Sequence, residues 1–183
     1  MQEYKTKLRF LDPEKILFRA GLANGQVVAD LGAGSGFYAL AASKVVGKTG
    51  KVYVVDILDS ALANVAAEAR MLMLKNLTAV RSDLEKQDSL SKISDSSIDL
   101  AIFGNVLHQL SSYRSLLAET YRVLKTKGHL LVVEWSDKPG PFGPRSANRL
   151  KQADVIAAIT KSGMKFESEI ETDPYHYGLT FIK

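Results

Sequence analysis

The chain contains no cysteine. That excludes disulfides, thiolate metal sites and cysteine nucleophiles, and leaves no redox sign of secretion; no bound metal is expected. No run approaches the roughly 20 apolar residues of a membrane span, and Met1 to Phe10 is polar and charged, without a signal-peptide core. A cytoplasmic location without a membrane partner is therefore expected. Charge of one sign is nowhere concentrated: 24 Lys and Arg against 20 Asp and Glu give a net charge of +4, and the lysines are dispersed. This mildly basic balance reads as a solvated surface, and a nucleic-acid partner is not indicated. Proline is scarce, and three of the five fall within residues 136–146 (Pro139, Pro141, Pro144), marking one stiff loop. Repeats and low-complexity segments are missing. What remains is ordinary globular material: 183 residues, 46% hydrophobic and 24% charged, enough for a single domain over 1–183 with one core.

The chain alternates strands and helices. Asp12 can cap a leading helix that starts at Pro13, carries Ile16, Leu17 and Ala20 on its apolar face, and ends near Gly21. Residues 1–26 are too short for a domain and can lie across a site as a lid. Strands are expected over 27–31, 52–56, 78–82, 98–103 and 129–134. The helices between them are marked by Leu40, Ala41 and Val45, by Leu62, Val65, Ala66, Ala69 and Met73 behind an Asp59 cap, and by Tyr113 through Leu124. Residues 84–97 read as a loop, and Gly128 as a stop before the fifth strand. Val155, Ile156 and Ile159 mark a last helix, and 165–171 with 177–182 can pair as an antiparallel hairpin. This alternation implies a doubly wound α/β fold, a mostly parallel sheet covered on both faces.

Val27–Phe37 organises the chain. A β-branched strand runs into Gly32, Gly34 and Gly36 and then into a helix start. Such a turn brings backbone amides and a helix N-terminus to a ligand, which favours one with an anionic end. Two cofactor classes use such loops. The dinucleotide fingerprint G-x-G-x-x-G/A is met literally by Gly34, Gly36 and Ala39, with the acid Asp56 at about the right distance. That fingerprint opens at the strand end, however, whereas Gly34 lies three residues beyond Leu31; counting from Gly32 puts Phe37 in the third slot. Ligands of open α/β sheets sit outside the carboxyl ends of the strands, and Asp30, Asp56, Asp83, Asn105 and Glu134 all fall at or just past strand ends. Asp56 can accept two ribose hydroxyls and Asp83 an exocyclic amine, although a turn aspartate is an equal reading of Asp83.

Asp30-Leu31-Gly32-Ala33-Gly34-Ser35-Gly36 resembles the first motif of the class I S-adenosylmethionine-dependent methyltransferases. Val52–Asp56, Ser82-Asp83, Asn105-Val106-Leu107-His108 and Leu124–Gly128 follow in that family's order. The resemblance covers roughly residues 8–183 and is nearest to the branch holding the ubiquinone/menaquinone-biosynthesis and arsenite methyltransferases. It implies a Rossmann-like, seven-stranded sheet with an antiparallel last strand, and S-adenosylmethionine as cofactor. It also implies that Gly32, Ala33, Gly34 and Gly36 line the methionine part with Asp30 near its amino group. Asp56 would hold the ribose with Ile57 beside it, Asp83-Leu84 the adenine, and Asn105 the sulfonium side. Arsenite enzymes hold the metalloid through cysteines, which this chain lacks. Gly104-Asn105-Val106-Leu107 stands where amino-group nucleic-acid methyltransferases carry an N-P-P-Y-type motif, and Lys151-Gln152 replaces the family's Ser-Pro at the last helix.

Methyl transfer from a sulfonium is an in-line displacement that asks mainly for alignment, exclusion of water and, for some acceptors, removal of a proton. His108 is the expected base, though it reads equally as a histidine packed beneath a lid; Glu134 is expected to orient the acceptor. Trp135 and the run Tyr175-His176-Tyr177 can wall a pocket, and Arg145 and Arg149 flank the proline loop. The sequence thus points to a methyltransferase acting on a small molecule. An RNA or protein methyltransferase, an NAD-binding oxidoreductase and a non-catalytic S-adenosylmethionine-binding module are the alternatives, and the oligomeric state stays open.

Overall fold

The computed structural model describes residues 11–138 and 143–183. Seven strands form one sheet: β1 (Val27–Leu31), β2 (Lys51–Asp56), β3 (Leu77–Arg81), β4 (Ile98–Gly104), β5 (Leu124–Trp135), β6 (Lys165–Ile170) and β7 (His176–Ile182). Their order is β3-β2-β1-β4-β5-β7-β6. The first five run parallel, and β7 is antiparallel to both β5 and β6. The helices are α1 (Pro13–Arg19), α2 (Phe37–Val46), α3 (Asp59–Met71), α4 (Arg114–Val123) and α5 (Gln152–Lys161). The doubly wound sheet with its antiparallel last strand is as expected.

Two-residue periodicity splits the strand side chains between two cores. Ala29, Leu31, Ala101, Phe103, Leu130 and Val132 face one way, towards α4 and α5. Val28, Val54, Leu100, Ile102, Leu131 and Val133 face the other, towards α1, α2 and α3. Asp12 caps α1 through the Lys15 amide at 3.2 Å, and Ile16 and Leu17 bury that helix against α2.

Local readings fail where tertiary context intervenes. Asp59 is the first residue of α3, not its cap, and pairs with Arg81 at 3.3 Å; Asp56 instead takes the Leu58 amide at 2.9 Å. Met73 leaves the helical face: α3 ends at Met71, and Met73 has φ 56° and is 83% exposed. Gly128 does not stop the chain. Strand β5 already begins at Leu124, and Lys125–Gly128 form a bulge: Ile98 pairs with Leu124 whereas Leu100 pairs with His129. The 84–97 loop buries Leu90 and Ile93 completely, because Arg122 from α4 donates to both of their carbonyls while pairing with Glu119. Lys151 stands at the α5 N-cap with no side-chain bond.

Candidate functional site

Parallel strands place their carboxyl ends on one edge, and antiparallel β7 starts at that same edge: His176 pairs with Trp135, the last residue of β5. A cavity of about 480 Å³ opens there. One wall is the loop from β1 into α2, with Asp30, Gly32, Ala33, Gly34, Ser35, Phe37 and Tyr38. The opposite wall holds Gly104, Asn105 and Gln109 from the end of β4, Trp135 from β5, and Asp173, Tyr175 and His176 from the final hairpin; Leu11 closes one side.

The glycine loop is set by its own hydrogen bonds. Gly32 and Ala33 both donate to the Val55 carbonyl, at 2.8 and 3.0 Å, Gly36 donates to Ala33 at 2.8 Å, and Gly34 donates to Asp56 Oδ2 at 2.8 Å. The expectation of a loop offering these amides to an anion is thereby corrected, since four of them are satisfied within the protein. Gly32 has φ +83°, and a Cβ there would lie 2.4 Å from Val106. At Gly34, with φ +51°, a Cβ would meet nothing within 4 Å. Gly34 thus leaves open the space through which a ligand reaches the backbone, whereas Gly36 serves as α2 N-cap and packs on Val65.

Asp30 supplies the electrostatic centre of this wall. It is buried, and its Oδ2 has no hydrogen-bond partner. Burial lifts its pKa from 3.8 to about 7; a backbone hydrogen bond at Ala39 opposes this and the charge of Asp56 adds to it. Asp30 and Asp173 are the only acidic side chains among the described lining residues, and neither Lys nor Arg is among those residues, so the site favours cationic groups. Tyr38, whose hydroxyl is also buried without a partner, is raised by burial and by Asp30, Asp173 and Glu134.

The other expected cofactor residues lie apart from this cavity. Asp56 uses one oxygen on Gly34 and the other on Leu58, and each oxygen keeps a further lone pair. Ile57 is exposed beside it. Asp83 turns onto the Glu85 amide at 3.1 Å, and Leu84 is buried near Gly32. His108 and Glu134 do not line the cavity either. They bind each other, with His108 Nδ1 2.9 Å from Glu134 Oε2, and fully buried Glu134 also accepts the His108 and Trp135 amides at 3.3 and 3.2 Å.

The second histidine pair was legible only as a pocket wall. His176 Nδ1 is 2.7 Å from Asp173 Oδ1, and its Nε2 is 3.3 Å from Asn105 Nδ2. The Trp135 ring lies on His176 with centroids 4.0 Å apart. Asp173 and His176, an acid three residues before a histidine in a turn, were the available signal. Arg149 donates to the carbonyls of Ser136, Lys138 and Pro144 and so ties the two ends of the proline loop together. Four residues of that loop, 139–142, and the first ten of the leading segment lie outside the described residues.

A family profile described as a methyltransferase domain matches residues 22–176. The chain belongs to this methyltransferase family. It is 35% identical over 118 residues, 64% of its length, to the ubiquinone/menaquinone biosynthesis C-methyltransferase UbiE of Psychromonas ingrahamii. It is 32% identical over 118 residues to the same enzyme of Haemophilus ducreyi. These segments are 45% and 44% of the relatives' lengths, so the methyltransferase spans less than half of the curated relatives it matches. Among solved structures, an S-adenosylmethionine-dependent methyltransferase from Aquifex aeolicus superposes with a TM-score of 0.87 and 28% identity, over 97% of this chain and 93% of that one. The arsenic(III) S-adenosylmethionine methyltransferase of Chlamydomonas reinhardtii gives 0.67 and 28%, over 88% and 64%. No helix among the described residues is long and apolar enough to cross a membrane.

Proposed function

We propose that this methyltransferase moves a methyl group from S-adenosylmethionine to a small-molecule acceptor, in the cytoplasm and without a nucleic-acid substrate. The observation that carries this reading is the buried, unpartnered Oδ2 of Asp30 beside the open face of Gly34. An orphaned carboxylate oxygen in a cavity is stabilised by a cationic donor, and an amino-acid ammonium supplies one. The cofactor fits these residues and, when bound, supplies an electrophilic methyl on a cationic sulfur.

Asp30 would hold the ammonium, and Gly32, Ala33 and Gly34 would line the methionine part, with Gly36 shaping the turn. Asp56 would take the ribose hydroxyls on its remaining lone pairs, Ile57 would cover the adenine, and Asp83 and Leu84 would bind its edge. Asn105 would flank the sulfonium side. Glu134 and His108 are proposed as positioning residues. By gripping the amides of His108 and Trp135, Glu134 ties the segment after β4 to the end of β5 and so holds Asn105 and Trp135 on one wall. The leading segment, whose Leu11 reaches the cavity, is proposed as its lid.

Calorimetric titration with S-adenosylhomocysteine, with NAD in parallel, tests this. Binding of the homocysteine product and none of NAD is expected; binding of NAD alone overturns it.

A further inference from the structure

The proposed function leaves a buried titratable pair unused at the cavity wall. His176 and Asp173 have side chains only 5% and 7% exposed, yet both line the cavity. Their contact at 2.7 Å is the tight kind that fixes a ring and its tautomer. Asp173 is itself braced by the Tyr175 amide at 2.9 Å. With Nδ1–H donated to Asp173, Nε2 keeps its lone pair and accepts from Asn105 Nδ2 at 3.3 Å, a long bond that an incoming hydroxyl can displace. The Asn105 Oδ1 beside it is buried and has no partner. A loosely held imidazole lone pair and an unused amide oxygen therefore adjoin on one wall, placed to take a hydroxyl proton and to accept a hydrogen bond. Phe37, Tyr38, Trp135 and Tyr175 make the rest of the lining suited to a flat apolar body.

Resting on the methyl-transfer reading, we infer that His176, oriented by Asp173, is the base that receives the hydroxyl proton of an uncharged, ring-hydroxylated acceptor. The acceptor O–H bond breaks and its electron pair stays on oxygen, while the proton goes to His176 Nε2. The oxygen bonds to the methyl carbon as the carbon–sulfur bond breaks and its pair leaves on sulfur as a neutral thioether. The imidazolium, held beside the Asp173 carboxylate, then releases its proton to water. The other titratable groups that line the same cavity are Tyr175 from the linker before β7, Asp30 from β1 and Tyr38 from α2, and Glu134 of β5 acts electrostatically on Tyr38. His176 touches the acceptor and is catalytic; Asp173 acts through it and is a positioning residue.

Nitrogen NMR of the imidazoles reads the tautomer directly, and the chain has only three histidines to assign. In wild-type protein loaded with S-adenosylhomocysteine, His176 is expected as the Nδ1–H tautomer at neutral pH, and Asp173→Asn is expected to move the proton to Nε2. Added 4-nitrophenol is expected to bind as phenolate, seen in its absorption, with His176 becoming imidazolium. In His176→Gln the phenolate-to-phenol ratio of the bound probe falls by about tenfold or more, the equivalent of one pKa unit, while S-adenosylhomocysteine binding persists. A His176 that carries Nε2–H in the wild type, a probe bound there as neutral phenol, or a probe that does not bind overturns the inference. Should His176→Gln fail to fold, the wild-type tautomer still decides it. Loss of S-adenosylhomocysteine binding by the wild type strikes the methyl-transfer reading itself, whereas binding with the wrong tautomer strikes only the dyad.

Discussion

The Asp56 carboxylate accepts the Gly34 amide at 2.8 Å across 22 positions of sequence, and its other oxygen accepts Leu58 at 2.9 Å. One side chain thus fixes the glycine loop and the entry to α3 before any ligand arrives. Asp56→Ala removes both ties and a proposed ribose contact. Its expected effects are a loss of about 1–3 kcal/mol of stability in urea unfolding and at least a tenfold weaker S-adenosylhomocysteine affinity in calorimetry. Wild-type affinity in this variant would remove Asp56 from the cofactor site.

Asp30 links affinity to pH. Its folded-state pKa, about 7, lies above the ordinary 3.8, so the folded protein binds the extra proton between these values. Its contribution to stability is fullest below about pH 4 and declines as pH rises towards 7. Asp30→Asn should therefore stabilise the protein above pH 7 and have little effect below pH 4, read by urea unfolding at both ends. An ammonium needs the ionised form, so wild-type affinity for S-adenosylhomocysteine should fall by about tenfold per pH unit below 7. Asp30→Asn should bind weakly and lose that slope.

Gly32 and Gly34 separate folding from binding. A Cβ at Gly32 drives into Val106, so Gly32→Ala should lower the unfolding midpoint sharply. Gly34 faces open space, so Gly34→Ala should cost only about 1 kcal/mol of left-handed backbone strain while weakening S-adenosylhomocysteine binding. Gly34→Arg should abolish that binding in a folded protein.

Glu134 is fully buried and accepts three hydrogen bonds, two of them from His108. Glu134→Ala leaves those donors without a partner and should cost about 3 kcal/mol or more. His108→Ala, which removes one donor from a partly exposed position, should cost less. Denaturation midpoints of the two variants check the order; a reversed order would mean that Glu134 is not the anchor of this wall.

The glycine-loop wall was legible because it is contiguous in sequence. Strand, glycines and helix start lie within Val27–Phe37, and local chemistry dictates each of them. What the pattern did not disclose is where the loop amides go, since their acceptors, Val55 and Asp56, belong to a neighbouring strand. The opposite wall is assembled by long-range pairing. The antiparallel hairpin was expected, but nothing local to His176 announces the register with β5 that brings it onto Trp135. His108 and Glu134 were correctly placed at the sheet's carboxyl edge, but their mutual pairing depends on the short turn after β4, which carries no sequence signature. Leu90 and Ile93 are hidden in a polar stretch because Arg122, some thirty residues later, satisfies their backbone.

The register that sets His176 against Trp135 also orders assembly in time. Synthesis runs from the N-terminus and folding follows it, so β1, β2 and β4, with the whole glycine-loop wall, are available once Asn105 has emerged. The wall carrying Asp173 and His176 exists only after the final hairpin docks on β5. The glycine-loop wall is thus in place before the wall that carries Asp173 and His176 can form.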